Sequence, residues 1–126
     1  METRTKLRIL VAEDDEASDL MITLKLKKLG HEILHAVTGL EAVEICTNDK
    51  TIDLVLMDIK MPGMDGYQAT QAIRKFDQNI IIFALTAYGL IGEKEKALEF
   101  GCNDYIPKPI NYSLLMMLIQ KHCFKE

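Results

Sequence analysis

The residues best suited to chemistry are acids, a hydroxyl and a lysine, each at the end of an apolar run. The acidic run Glu13 to Glu16 follows the first of these, Asp58 ends the third, and Thr86 ends the fourth. Lys108 stands between two prolines after a last short run. Carboxylates that converge have raised pKa values unless a cation lies among them. The set therefore indicates a site for a hard divalent cation, and Mg²⁺ suits a few carboxylates with room for a phosphate oxygen.

Short apolar runs alternate with stretches of helical spacing, and this alternation predicts the elements that position those residues. The strand candidates are Leu7 to Ala12, Ile33 to Ala36, Asp53 to Met57 and Ile80 to Leu85, with Asp104 to Ile106 as a weaker fifth. Continuous apolar runs of this length are typical of strands that a parallel sheet buries on both faces.

Five helices are predicted in the intervals. Two show an apolar stripe at helical spacing, one with Ala17, Leu20, Met21 and Leu24, the other with Ala69, Ala72, Ile73 and Phe76. The others are Gly39 to Asn48, Ile91 to Phe100 and Asn111 to His122. Gly30 and Gly101 suit left-handed caps after the first and fourth helices, and Asn111 suits an N-cap. Right-handed crossovers give a doubly wound α/β sheet, whose ligands bind beyond the carboxyl ends of the strands.

The size and charge of the chain limit the classes of protein to which it can belong. With 126 residues, 48% of them hydrophobic, it has the length and composition of one globular domain. Nineteen acidic residues outnumber fifteen basic ones, and no basic run is longer than Lys27-Lys28. Direct binding to nucleic acid is therefore not expected.

Signals for membranes and for disulfides are absent from the sequence. The longest apolar runs, Ile80 to Leu85 and Leu114 to Ile119, are far shorter than the roughly 20 residues of a spanning helix. Cys46, Cys102 and Cys123 are an odd set without CxxC spacing, which favours reduced thiols that are buried or half-buried. These features predict a cytoplasmic protein with no membrane contact.

Each candidate residue also has a purely structural interpretation. The acids from Glu13 to Glu16 could lie in a solvated loop, where the dipole of the next helix favours them. The loop Met61 to Gly66 could be only a turn, and Lys108 alone could be a surface lysine. Convergence of acids, a hydroxyl and an ammonium on one sheet favours the functional interpretation. Structural or solvent roles are expected for the histidines, which share no ligand spacing: His31, His35 and His122.

Four segments together resemble the receiver domain of response regulators in two-component signalling. They are Ile9 to Glu16, Met57 to Gly66, Ala84 to Ala87 and Tyr105 to Pro109, in an order that covers about Leu7 to Ile119. The resemblance implies a flavodoxin-like (βα)5 three-layer sandwich with a parallel sheet of order 2-1-3-4-5. It also implies one receiver domain over residues 1–126, with a core at about 7–122 and no output domain. The sequences of the segments Met64 to Thr70 and Gly101 to Tyr105 resemble those of receivers in hybrid sensor kinases.

Carried over residue by residue, the resemblance assigns the acidic residues to one reaction. Asp58 matches the phosphoacceptor, a carboxylate that takes a phosphoryl group from a phosphohistidine. Glu13 and Asp14 match the acidic pair of the family. Together with Asp58 and the backbone carbonyl of Lys60, they are expected to hold Mg²⁺, with Mn²⁺ as an alternative.

The remaining matches concern phosphoryl binding, switching and lifetime. Lys108 is expected to neutralise charge on the phosphoryl group, and the bond to Pro109 after it is commonly cis in this family. Thr86 matches the hydroxyl residue that bonds a phosphoryl oxygen, and Tyr105 matches the aromatic residue that changes rotamer on activation. In a purely structural interpretation, Thr86 only ends a strand and Tyr105 is a half-buried residue at the edge of the core. Lys60 and Tyr88 occupy positions that tune the phosphoryl lifetime, and the Lys60 ammonium could equally lie in water.

The resemblance implies a phosphoacceptor switch rather than a turnover enzyme. The donor would be a sensor histidine kinase or a histidine phosphotransfer protein, and phosphorylation and dephosphorylation of Asp58 would be self-catalysed. A downstream protein or a second copy would bind the face formed by the fourth helix, fifth strand and fifth helix.

Three other functions compete with this interpretation. An aspartate-nucleophile phosphatase would typically need an acid two residues after Asp58, where Lys60 stands. A nucleotide or flavin site is poorly supported because the first turn lacks GxGxxG. A receiver-like interaction module without phosphorylation is disfavoured because all five expected site positions hold competent residues.

Overall fold

The computed structural model describes residues 6–87 and 91–124, and in these ranges the predicted strands and helices alternate. The strands are β1 (Arg8–Ala12), β2 (Glu32–Ala36), β3 (Leu54–Asp58), β4 (Ile81–Ala87) and β5 (Asp104–Lys108). The helices are α1 (Glu16–Lys28), α2 (Gly39–Asn48), α3 (Gly66–Arg74), α4 (Glu93–Phe100) and α5 (Tyr112–Cys123). The α/β prediction is confirmed.

The sheet is parallel throughout, with strand order β2-β1-β3-β4-β5. Successive side chains of a strand point to opposite faces, so each central strand feeds two cores. In β1, Ile9 and Val11 pack with α1 and α5, whereas Leu10 and Ala12 pack with α2, α3 and α4. The result is the three-layer sandwich that the resemblance implied.

The prediction that Ile33 to Ala36 is buried on both faces is wrong. In β2 only Ala36 is buried, and Glu32 and His35 are exposed. The reason is the position of β2 at the edge of the sheet, where its pairing is with β1.

The prediction of which face of α1 is buried is also wrong. Leu20, Met21 and Leu24 are 58%, 53% and 57% exposed, whereas Ile22 and Leu26 are buried against the sheet. Apolar residues lie on both sides of this helix, so their spacing did not identify the buried side. An apolar surface on α1 remains open to solvent as a result.

The helix caps follow the predicted pattern. Gly30 and Gly101 have φ angles of 93° and 108°, in the left-handed region that glycine enters without steric cost. The Asn111 side chain accepts the Leu114 N–H at 3.2 Å and begins α5. These caps fix where α1 and α4 end and where α5 starts.

The burial predicted for the cysteines and the structural role predicted for His31 are confirmed. Cys46 and Cys102 are buried, and Cys123 is half-buried. His31 has a structural role, because its Nδ1 accepts the Leu7 N–H at 3.0 Å within the buried start of the sheet. No helix among the described residues is both long and apolar enough to cross a membrane.

Gly66 sets the distance between α3 and the end of β3. A Cβ atom at Gly66 would lie 2.3 Å from the Asp58 carbonyl oxygen, and the Gly66 N–H donates to the Ile59 carbonyl at 3.0 Å. The obstructing atom is backbone, so it cannot rotate away. Only glycine permits this approach.

Gly66→Ala is expected to destabilise the domain by about 3 kcal/mol, the upper end of the usual cost of overpacking. Gly30→Ala is the matched control, since no atom lies within 4 Å of the site of its Cβ. It meets only the left-handed backbone penalty of about 1–2 kcal/mol. Urea unfolding of both variants checks the difference, and an equal loss would contradict this account of Gly66.

Candidate functional site

The carboxyl edge of the sheet brings together side chains from three strands. Glu13 follows β1, Asp58 ends β3 and Lys108 ends β5. The Lys108 ammonium lies 2.6 Å from Glu13 Oε1 and 3.2 Å from Asp58 Oδ2. The convergence predicted from the strand ends is present, with the ammonium between two acids.

Both acids are nearly excluded from solvent, which makes their negative charge costly. Glu13 is 2% exposed and Asp58 is 5% exposed. Burial, helped by the neighbouring Asp58, raises the pKa of Glu13 to about 7 even though Lys108 opposes the shift. Burial lowers the pKa of Lys108, but Glu13 and Asp58 outweigh that effect and the net shift is upward. The ammonium is therefore firmly charged, and Glu13 is poised to gain or lose a proton.

A third carboxylate completes a set that can hold a cation. Glu13, Asp14 and Asp58 each offer an oxygen, and these oxygens lie within 4.8 Å of one another. Asp14 is exposed, which leaves an open side for water. Hard oxygen ligands with room for water fit Mg²⁺ better than a soft metal.

The acidic run divides between the site and the next helix. Asp15 is the N-cap of α1, where its Oδ2 accepts the Ser18 N–H at 2.9 Å, and Glu16 lies in the first turn. The structural interpretation is right for these two acids. It is wrong for Glu13, whose side chain turns toward Lys108.

The immediate partners of Asp58 come from its own loop and from β5. Its Oδ1 accepts the Lys60 N–H at 3.1 Å, and its Oδ2 accepts from Lys108. Lys60 itself is exposed. The role assigned to the Lys60 carbonyl stays a prediction.

Thr86 carries an unused hydroxyl close to this site. It is 4% exposed, and its Oγ1 has no hydrogen-bond partner among residues 6–87 and 91–124. A buried polar atom without a partner is costly and calls for a ligand. Such a hydroxyl is suited to a phosphoryl oxygen.

Asp58, Thr86 and Lys108 line one open cavity of about 680 Å³. Sequence reasoning missed several of the other side chains that line it: Ser18, Tyr67, Glu93 and Lys96. These residues come from α1, α3 and α4, and although Tyr67 lies in the segment Met64 to Thr70, no motif assigns any of the four to the site. Only the way the helices pack brings them to the cavity.

The remaining predictions concern Tyr105, Tyr88 and the peptide bond before Pro109. Tyr105 is half-buried and packs against the core under α2, α3 and α4. Tyr88 lies outside the described residues. The peptide bond between Lys108 and Pro109 is cis, as expected.

Comparison with known families decides the class of this fold and site. Residues 9–120 match the family model of the response regulator receiver domain. The chain belongs to this family. Receiver domains are phosphoacceptor switches of two-component signalling, in accord with the acidic edge and with the strand order.

Related sequences include both long kinases and a short protein. The chain is 38% identical over 119 residues to the sensor protein GacS of Pseudomonas syringae, covering 90% of this chain and 13% of that protein. It is 30% identical over 115 residues to sporulation initiation phosphotransferase F of Bacillus subtilis, covering 91% and 92% of the two. The chain thus spans a small part of the hybrid kinase relatives and nearly all of the short one.

Solved receiver structures share the whole fold. One is from the Saccharomyces cerevisiae complex of the histidine phosphotransfer protein Ypd1 and the Ssk1 receiver domain, with 30% identity and a TM-score of 0.88. It covers 97% of this chain and 92% of that chain. Another is the receiver domain of sensor histidine kinase PA1611 from Pseudomonas aeruginosa, which holds a magnesium ion in its active site cleft. Its identity is 33% and its TM-score 0.86, covering 95% and 99% of the two chains.

Glu13→Gln is expected to stabilise the cation-free domain at pH 8 by about 1 to 2 kcal/mol and to change little at pH 5. In the folded domain the pKa of Glu13 is about 7, compared with its ordinary value of 4.5. The free energy that protonated Glu13 contributes to folding is therefore fully present below pH 4.5 and is lost as the pH rises through 7. A neutral glutamine avoids that loss. Urea unfolding with a chelator at the two pH values measures it.

The exposed residue Glu44 on α2 provides the matched control. Glu44→Gln is expected to leave stability nearly unchanged at both pH values. An equal effect of the two variants would show that the buried charge of Glu13 has no such cost.

Proposed function

We propose that this receiver domain accepts a phosphoryl group on the carboxylate of Asp58. The observation that carries the proposal is the place of that carboxylate, held by the Lys60 N–H and the Lys108 ammonium at the wall of an open cavity. In the reaction, the bond between phosphorus and the donor imidazole nitrogen breaks. A bond forms between phosphorus and an Asp58 oxygen, and the electron pair of the broken bond stays with the imidazole.

The residues around Asp58 fit the demands of phosphoryl transfer, which are positioning and charge neutralisation. Glu13, Asp14, Asp58 and the Lys60 carbonyl would hold Mg²⁺, which when bound neutralises charge on the phosphoryl oxygens. Lys108 supplies a positive charge from the protein itself. On this basis we infer that Asp58 is phosphorylated and dephosphorylated through the domain's own residues.

The switch would use the unpaired hydroxyl of Thr86. Once Asp58 carries a phosphoryl group, an oxygen of that group offers the partner that Thr86 Oγ1 lacks. Movement of Thr86 leaves space on the side of β4 that faces α2, α3 and α4, where Tyr105 packs. An inward turn of Tyr105 would fill that space and bias an equilibrium between two arrangements.

The phosphodonor would be a histidine kinase or a histidine phosphotransfer protein. The exposed apolar side chains of α1, which are Leu20, Met21 and Leu24, offer a surface for it. A cavity lined by Met21, Lys108 and Pro109 joins that surface to the site. The donor histidine could thus approach Asp58 while its protein covers α1.

Downstream partners would use the face formed by α4, β5 and α5. Leu98 on α4 and Met117 on α5 are 48% and 58% exposed, and they offer apolar contacts there. A partner protein or a second copy of the chain could bind this face. We propose a cytoplasmic location, where a phosphorylated kinase would be available and where cysteines such as Cys46 and Cys102 would stay reduced.

Asp58→Asn is expected to abolish labelling of the Mg²⁺-loaded domain by acetyl phosphate. An amide is a poor nucleophile for phosphorus, so no acid-labile phosphoryl group should form. Asp77→Asn is the control, because Asp77 caps the turn before β4 at the other end of the sheet. Intact-mass analysis and chelation with EDTA complete the test, and labelling that survives Asp58→Asn would refute the assignment.

Thr86→Ala is expected to slow phosphorylation by roughly 10- to 100-fold, since one donor to a phosphoryl oxygen is removed. Thr86→Ser keeps the hydroxyl and should keep most of the rate. Stopped-flow measurement with acetyl phosphate compares the two. Equal slowing by both variants would show that the methyl group, rather than the hydroxyl, matters.

A further inference from the structure

Helix α4 is weakly held by its own sequence. Ala97 is its buried residue, and all its other residues are exposed or half-buried. Its N-cap is Gly92, which provides no side-chain hydrogen bond to the first turn. A short helix with so little buried surface needs an anchor from elsewhere.

Tyr67 supplies that anchor from the first turn of α3. Its hydroxyl donates to Glu93 Oε2 at 2.5 Å, and its ring stacks on Phe100 with centroids 4.9 Å apart. The Lys96 ammonium lies 5.1 Å from the centroid of the same ring. One buried side chain therefore contacts the start, the middle and the end of α4.

The same contacts reach the phosphoacceptor cavity. Tyr67, Glu93 and Lys96 line it together with Asp58 and Thr86. Tyr67 follows Gly66, whose backbone lies against the Asp58 carbonyl, so the phenol is rigidly joined to the phosphoacceptor loop. Glu93 and Lys96 thus bring one negative and one positive charge to the rim.

We propose that Tyr67 is a positioning residue for phosphoryl transfer, because it holds the Glu93 carboxylate at the rim and keeps Lys96 available to an anionic phosphodonor. The inference rests on the proposed function of Asp58. It adds a residue on α3 that acts through two charges on α4. Tyr67 itself does not touch the reacting atoms.

The physical basis is control over the direction of one carboxylate, that of Glu93. While the phenol donates to it, Glu93 is directed toward α3. Burial raises the pKa of Tyr67, and Glu93 raises it further, so the phenol keeps its proton and remains a donor. Without the hydroxyl, the Glu93 carboxylate at the rim is free to turn from α3 toward Lys96, where it would neutralise that ammonium and repel a phosphate anion.

The test is the kinetics of Mg²⁺-dependent labelling by acetyl phosphate in Tyr67→Phe. The apparent KM for the donor should rise roughly three- to tenfold, because the released Glu93 carboxylate neutralises Lys96 at the rim of the cavity. The maximal rate should change much less, since Asp58, Thr86 and Lys108 are untouched. High salt should reduce the difference by screening the charges.

A second substitution separates positioning from simple packing. Glu93→Gln removes the charge, so the double variant Tyr67→Phe with Glu93→Gln should return the KM to within about twofold of the parent value. If Tyr67 only packed α4, the second change would not restore the KM. Glu99→Gln removes an exposed carboxylate from the last turn of α4, away from the cavity, and serves as the control, with an unchanged KM.

The outcomes distinguish this inference from the proposed function. A parent protein that takes no label on Asp58 overturns both. A labelled parent with an unchanged KM in Tyr67→Phe overturns only the role of Tyr67, as does a raised KM that Glu93→Gln fails to restore. A raised KM that is restored supports it.

Discussion

The structure depends on one buried arrangement of charges, an ammonium between two carboxylates at the edge of a parallel sheet. Lys108 partly offsets Glu13 and Asp58, and with Asp14 close by the cluster still holds more negative than positive charge. Burying like charges costs free energy that the apolar layers on both sides of the sheet must supply. Under the proposed function, the excess of negative charge would also attract a divalent cation. Under the proposed function, the cluster would give up stability in the free state for affinity toward the groups that react there.

Much of the fold and the core of the site could be predicted from the sequence. Apolar runs identify buried strands, and parallel strands bring their carboxyl ends to one edge, so Asp58, Thr86 and Lys108 had to lie near one another. The acidic run could be divided only with the structure. Asp15 caps a helix and Glu13 turns into the site, and that difference depends on the path of the backbone after β1.

Other features could not be predicted because they arise where elements pack together. Apolar side chains surround α1, so spacing did not identify Ile22 and Leu26 as its buried face. The edge position of β2 follows from the strand order, which the resemblance implied and the apolar pattern did not. Tyr67 and Glu93 lie 26 positions apart, and no motif links them before α3 and α4 are packed.

The contact between Gly66 and the Asp58 carbonyl makes the domain mechanically asymmetric. On the α3 side, the backbone of Gly66 packs directly against the backbone of Asp58, and no space is left into which either could move. On the α4 side, one helix with a single buried residue rests on the ring of Tyr67. A disturbance that starts at Asp58 is therefore expected to displace α4 more readily than α3. In such a displacement, α3 would stay in place against the Asp58 backbone, and α4 would move.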